Sequence, residues 1–131
     1  MHSDPIADLL ARIRNGSLSR LDTIQIPHSK TKMEIVRILQ SEGYIKDFEV
    51  TTESKFPSIK VTLRYDQKRN SVINHMRRVS KPGLRVYKPV AELPPLRSGL
   101  GTRILSTSQG IMTDREARRR HIGGEVICEV W

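Results

Sequence analysis

One cysteine, one tryptophan, two phenylalanines and three tyrosines in 131 residues exclude several kinds of protein at the outset. With Cys128 alone no intrachain disulfide can form, which points to a reducing compartment. No apolar run approaches the roughly 18 residues of a membrane span. The start, Met1-His2-Ser3-Asp4-Pro5, has no basic segment leading into an apolar one, so no signal peptide is expected. The expectation is a soluble, cytoplasmic protein. Four histidines (His2, His28, His75, His121) are scattered, none at metal-ligand spacing with cysteine or carboxylates. Gly99-Leu100-Gly101 is too short for a dinucleotide fingerprint. Ser106 or Ser108 could be offered His121 as a base, but neither a nucleophile elbow nor an acidic orienter accompanies them. No enzyme, cofactor or metal site is expected.

Acidic residues are scarce in one half only. Residues 1–66 hold ten Lys/Arg against nine Asp/Glu, while residues 67–131 hold thirteen against five. Of the formal net charge of +9, +8 therefore lies in the second half. A folded chain this basic usually meets a polyanion, most often nucleic acid. Its 37% hydrophobic residues suffice for a modest core and argue against disorder.

What is present reads as an α+β chain of two small lobes, 1–66 and 67–131. Ser3 or Asp4 before Pro5 is a helix start, followed by the stripe Ile6, Leu9, Leu10, Ile13, with Gly16 as a stop. Thr23-Ile24-Gln25-Ile26 alternates and ends at Pro27, a short strand. A second helix starts at Ser29 or Thr31 and ends at Gly43. Residues 44–52 and 58–65 form a hairpin, its second strand alternating Ile59, Val61, Leu63, Tyr65 against Lys60, Thr62, Arg64. The first lobe is thus helix, strand, helix, strand, strand, with helices on one face of the sheet. Asp66-Gln67-Lys68-Arg69-Asn70-Ser71 is a polar seam. In the second lobe, residues 72–79 are expected as a strand. Pro82-Gly83 carries the type II turn signature and makes a tight basic hairpin with Arg85-Val86-Tyr87. Residues 100–105 and 125–131 are strands, and 113–120 a short helix. This lobe is mostly β with one short helix.

Two stretches carry chemistry suited to RNA. Ser106-Thr107-Ser108-Gln109-Gly110 brings hydroxyls, an amide and backbone N–H groups together beside Arg118-Arg119-Arg120. Such a stretch is equally a Ser/Thr-rich turn before a helix. Thr113 and Glu116 form a capping box that would hold this loop in one shape. Lys81-Pro82-Gly83-Leu84-Arg85-Val86-Tyr87-Lys88 interleaves cations with one aromatic, able to neutralise phosphates and stack on a base. A general nucleic-acid module reading charge alone, even on DNA, is the alternative.

The run Gly99-Leu100-Gly101-Thr102-Arg103-Ile104-Leu105-Ser106-Thr107-Ser108-Gln109-Gly110-Ile111-Met112-Thr113-Asp114-Arg115-Glu116-Ala117-Arg118, with Gly123-Gly124-Glu125-Val126-Ile127-Cys128, closely resembles the C-terminal signature of the bacterial small-subunit ribosomal protein eight family. The likeness extends to Ser3-Asp4-Pro5-Ile6-Ala7-Asp8, Arg12-Ile13-Arg14-Asn15 and Ser80-Lys81-Pro82-Gly83-Leu84-Arg85-Val86-Tyr87. The resemblance implies a non-enzymatic structural constituent of the small ribosomal subunit, cytoplasmic or organellar. It would clamp an irregular helix in the central domain of the small-subunit rRNA, promote assembly beside neighbouring ribosomal proteins, and in some bacteria repress its own operon mRNA. It implies RNA contacts at Ser106, Thr107, Ser108, Gln109 and Gly110, with Tyr87, Lys81, Pro82, Gly83, Arg85 and Lys88 nearby. Arg14, Lys30 and Lys55 would approach RNA backbone. Arg118-Arg119-Arg120-His121 is more basic than the family pattern, and Trp131 is larger than the residue expected there.

Overall fold

Pro5 opens α1 (Pro5–Leu18), and the computed structural model describes residues 4–131, so the expected cap Ser3 lies outside it. Leu9, Leu10 and Ile13 are fully buried along the expected stripe. Gly16 does not stop this helix. It is buried within it, and a Cβ there would stand 2.7 Å from Ile24 Cγ2 and 3.1 Å from Leu63 Cδ1. The glycine serves the close approach of helix to sheet. The stop comes later, at Arg20, with a left-handed φ of 55°. There Leu21 N–H returns to the Gly16 carbonyl and Arg20 N–H to that of Ser17, a Schellman closure.

β1 (Thr23–Pro27) follows, then α2 (Lys30–Ser41), whose first turn is capped by the Ser29 hydroxyl accepting from Lys32 N–H. Gly43 ends α2 as expected, at φ 83° with the same paired closure. β2 (Ile45–Thr51) and β3 (Ser58–Leu63) are the expected hairpin, and β3 lies between its neighbours in the order β1-β3-β2. Ile59, Val61 and Leu63 point into the core with Ile26, Ile35, Val36 and Leu39. Each such side chain stabilises the fold by about 1.5–3 kcal/mol relative to exposure. Tyr65 is only half-buried, its hydroxyl donating to the Leu21 carbonyl at 2.6 Å. Beyond β3 the chain turns back on itself: Tyr65 bridges Ser71, and the Asp66 carboxylate accepts from Lys68 and Asn70 N–H. Residues Pro5–Ile73 form one compact unit.

Asp4 and Asn74–Trp131 form the other. Its centre is β8 (Gly124–Val130), with Val126, Ile127, Cys128 and Val130 all buried. Along one edge run β4 (Met76–Arg78), pairing residues 128–130, and β5 (Tyr87–Lys88), pairing 124–125. The expected strand over residues 72–79 is therefore three residues long. The expected hairpin through Pro82-Gly83 is reduced to one antiparallel pair, Lys81 with Leu84. β4 and β5 are two halves of one edge, continued by Val79 and Ser80 N–H donating to Ile127 and Val126 carbonyls. Residues 81–85 protrude between them, closed by reciprocal Lys81–Leu84 backbone hydrogen bonds of 2.9 Å. Gly83 takes no left-handed φ, so the turn is not type II.

Short 3₁₀ turns at Val90–Glu92 and Leu96–Gly99 lead to β6 (Thr102–Thr107), on the other side of β8. β7 (Gly110–Thr113) pairs β6, and α3 (Asp114–Arg120) follows at once. Residues 106–113 are thus largely strand, with Ser108 and Gln109 alone at the turn. Leu93, Leu105, Met112, Ala117 and Val126 form the core under α3. Among the described residues no helix is long and apolar enough to cross a membrane.

Cys128 is completely buried between β4 and β6, and burial pushes its thiol up to about 12. A pKa raised in the folded state holds stability below the unfolded value near 9 and loses it as pH rises towards 12. A thiol reagent at pH 8 is therefore expected to leave the native protein unlabelled and to modify it fully in denaturant. Rapid labelling of the folded chain would contradict this placement.

Candidate nucleic-acid interface

The sheet of the second unit sets three of its strands in one row. Tyr87 on β5 lies opposite Glu125 on β8, and Glu125 lies opposite Ser106 on β6. One step along, Lys88 faces Gly124. Gly124 lets β6 and β8 approach: a Cβ there would stand 2.3 Å from the Ser106 carbonyl oxygen. Tyr87 is 67% exposed, far more than a tyrosine that serves the core. Glu125 is the residue that sequence reasoning missed. Its Oε2 accepts from the buried Ser80 hydroxyl and from Arg85 NH1 at 3.0 Å, while Ser80 Oγ also accepts from Val86 N–H. That network ties the base of the 81–85 loop to the row. The carboxylate is thereby paired inside a cationic surface, as a lone negative charge facing RNA would not be. The signal in the sequence was its place on the polar side of β8, next to the Gly-Gly pair.

The hairpin tip is fixed from within. Thr107 Oγ1 donates to the Gly110 carbonyl at 2.8 Å and accepts from Gln109 N–H at 3.1 Å. Gly110 absorbs the positive φ, 110°, that the loop requires, a form known from hairpins with a glycine after the turn. Thr107 is therefore spent on shape. Ser106 and Ser108, by contrast, make no side-chain hydrogen bond among the described residues, so their hydroxyls are available to a ligand.

α3 supports the hairpin from behind. Thr113 caps it, accepting from Glu116 N–H at 3.2 Å. The reciprocal half of the expected capping box is replaced: Glu116 turns forward, its Oε2 accepting from Arg119 Nε at 3.0 Å and its Oε1 from Arg120 Nε at 2.7 Å. Hydrogen bonds from Arg119, then Arg120, hold the Glu116 carboxyl down to about 2, so it stays ionised at all ordinary pH. Two strong cationic donors outbid one backbone N–H. Of the Arg118-Arg119-Arg120 run, Arg118 turns inward to Asp114 at 2.8 Å and to the Leu93 carbonyl at 2.9 Å. It is structural.

The structure thus gathers Tyr87, Lys88, the 81–85 loop and residues 106–110 at one end of one sheet. Lys81, Pro82 and Gly83 are exposed on the protruding loop, and Arg85 at its base is half exposed. Arg14 on α1, Lys30 at the start of α2 and Lys55 in the β2–β3 loop are exposed on the first unit. His28 N–H donates to the Pro57 carbonyl at 3.1 Å, which holds the start of α2 beside that loop. Lys55 also lies over the Phe56 ring, 5.8 Å from its centroid.

Comparison with known proteins agrees along the whole chain. The family model described as ribosomal protein S8 matches residues 4–131. Small ribosomal subunit protein uS8 of Acholeplasma laidlawii is 52% identical over 129 residues, 98% of each chain. The protein of that name from Caldanaerobacter subterraneus is likewise 52% identical over 98% of each chain, and that from Thermodesulfovibrio yellowstonii 47% over all 131 residues. The chain belongs to the ribosomal protein S8 family, non-enzymatic proteins of the small ribosomal subunit.

Proposed function

We propose that this chain is an rRNA-binding protein that recognises an irregular, internally looped helix by shape, through the end of the second-unit sheet. Membership of the small subunit gives it ribosomal RNA and ribosomal proteins as partners. The finer reading is a clamp on the central domain of the small-subunit rRNA, made early in assembly. The observation that supports it most is the row Tyr87–Glu125–Ser106, whose Ser106 hydroxyl is uncommitted, with that of Ser108 uncommitted at the adjoining hairpin tip. Short hydroxyls suit sugars and base edges in a shallow minor groove, and an exposed tyrosine suits an unstacked base. Lys81, Arg85 and Lys88 surround the row and would supply phosphate contacts, with Arg14, Lys30 and Lys55 contributing from the first unit. A messenger RNA carrying the same looped helix, such as the protein's own operon transcript, would compete for the same surface.

The test is competition at physiological salt between a structured central-domain rRNA fragment and a duplex DNA of equal length. The native protein is expected to prefer the rRNA strongly, and the double variant Ser106→Ala, Thr107→Ala to lose most of that preference. Equal affinity of the native protein for both nucleic acids would leave only a charge-reading module.

A further inference from the structure

An acidic side chain stands where electrostatics alone would remove one. Glu116 is part of α3, immediately behind the recognition hairpin, and both its oxygens are taken by Arg119 and Arg120. Arg120 does a second thing: its NH1 donates to Gln109 Oε1 at 3.0 Å, reaching from the end of α3 to the tip of the β6–β7 turn. A guanidinium can only donate, so the amide of Gln109 must turn its oxygen toward Arg120. The NH₂ group is then the end left for a ligand. A glutamine amide left to rotate offers donor or acceptor alike, whereas one held by its oxygen presents its NH₂ donors outward.

We infer that Glu116 is a positioning residue which, through Arg120, fixes Gln109 as a hydrogen-bond donor aimed at an acceptor on the RNA, such as a 2′-oxygen, a phosphate oxygen or a base carbonyl. This rests on the reading of the hairpin tip as the RNA-recognising surface. Three properties follow from one carboxylate. The tip amide is ordered before binding, so less side-chain freedom is lost in the complex. Its hydrogen-bonding sense is set. Arg119 and Arg120 are also partly neutralised, which lowers their attraction for any RNA regardless of shape. Glu116 thereby raises the ratio of specific to non-specific binding.

The sign of the effect separates this from a general charge contribution. Removing a negative charge from an RNA-binding surface should, by electrostatics alone, tighten binding to every RNA. Glu116→Gln is instead expected to weaken binding to the structured rRNA fragment about fivefold, the worth of one mispositioned hydrogen bond, while tightening binding to a plain RNA duplex of equal length. Arg120→Ala, which cuts the same connection and leaves the carboxylate in place, should weaken the fragment too. In a Gln109→Ala background Glu116→Gln should not weaken it further, and Arg120→Ala should weaken it only as much as it weakens the plain duplex. A Glu116→Gln protein that binds both RNAs more tightly, or losses that add fully to that of Gln109→Ala, would overturn the inference. If Ser106→Ala with Thr107→Ala has no effect on the fragment, the recognition surface itself has been misplaced. If that pair weakens binding and Glu116→Gln does not, the positioning role alone fails.

Discussion

Asp114→Ala is expected to lower the unfolding free energy by about 3 kcal/mol, the lower end of the cost of removing one partner from a buried ion pair. Asp114 is 2% exposed at the first turn of α3. One carboxylate oxygen accepts from Arg103 N–H at 3.1 Å, and the other holds Arg118 NH1 at 2.8 Å with Arg103 NH1 at 3.8 Å. Alanine leaves two guanidiniums largely removed from water beside an empty site. The loss stays at the lower end because Arg103 keeps Glu129 at 3.0 Å and Arg118 keeps the Leu93 carbonyl. Asp114→Asn, which preserves an acceptor for the Arg103 N–H, should cost less, about 1–2 kcal/mol. Trp131 is the only tryptophan and belongs to the same unit, so its fluorescence in a urea titration reads this unit directly. A change below about 1 kcal/mol for the alanine variant would mean that the pair contributes no more than an exposed one.

Gly124→Ala is expected to be comparably damaging and to damage recognition as well. The added methyl would meet the Ser106 carbonyl oxygen at 2.3 Å and its carbon at 3.0 Å, both backbone atoms that cannot turn aside. Either β6 parts from β8 or Ser106 moves out of the row it shares with Glu125 and Tyr87. A destabilisation of about 2–3 kcal/mol fits overpacking of this kind. Any protein that still folds should bind the rRNA fragment weakly while retaining its affinity for plain duplex. Gly83→Ala is the control, since nothing lies within 4 Å of its Cβ position and its φ is not left-handed. It should leave stability unchanged. Thermal unfolding of both variants, with binding measured on the same preparations, decides the matter.

Much of the first unit is legible in its residues. The alternation of Ile59, Val61 and Leu63, and the serine and glycine bracketing α2, are local signals, and each element formed where they stand. Gly16 misled because a glycine that ends a helix and one that admits a neighbouring strand look alike without the neighbour. The second unit is less legible, for reasons of distance along the chain. β4 and β5 each hold three residues or fewer and exist because β8, roughly forty to fifty residues later, offers an edge. β7 has no alternation to announce it, and only pairing with β6 turns Gly-Ile-Met-Thr into a strand. For the same reason the 106–110 stretch was legible as hydroxyl-rich, but the division between Thr107, which shapes the turn, and Ser106 and Ser108, which are free, was not. Glu125 escaped because its partners, Ser80 and Arg85, are forty or more residues away.

Recognition by shape and attraction by charge separate most cleanly in the salt dependence of binding. Affinity for the rRNA fragment, measured over a range of salt concentrations, gives a slope of log K against log salt that counts phosphate contacts. Ser106→Ala with Thr107→Ala should lower affinity about tenfold or more at every salt concentration and leave the slope unchanged. Lys81→Ala should flatten the slope by about one unit with a small loss of preference for the fragment. If the serine–threonine variant flattens the slope and loses no affinity beyond that, the hairpin tip reads charge, and the hydroxyls of β6 have no part in recognising the RNA.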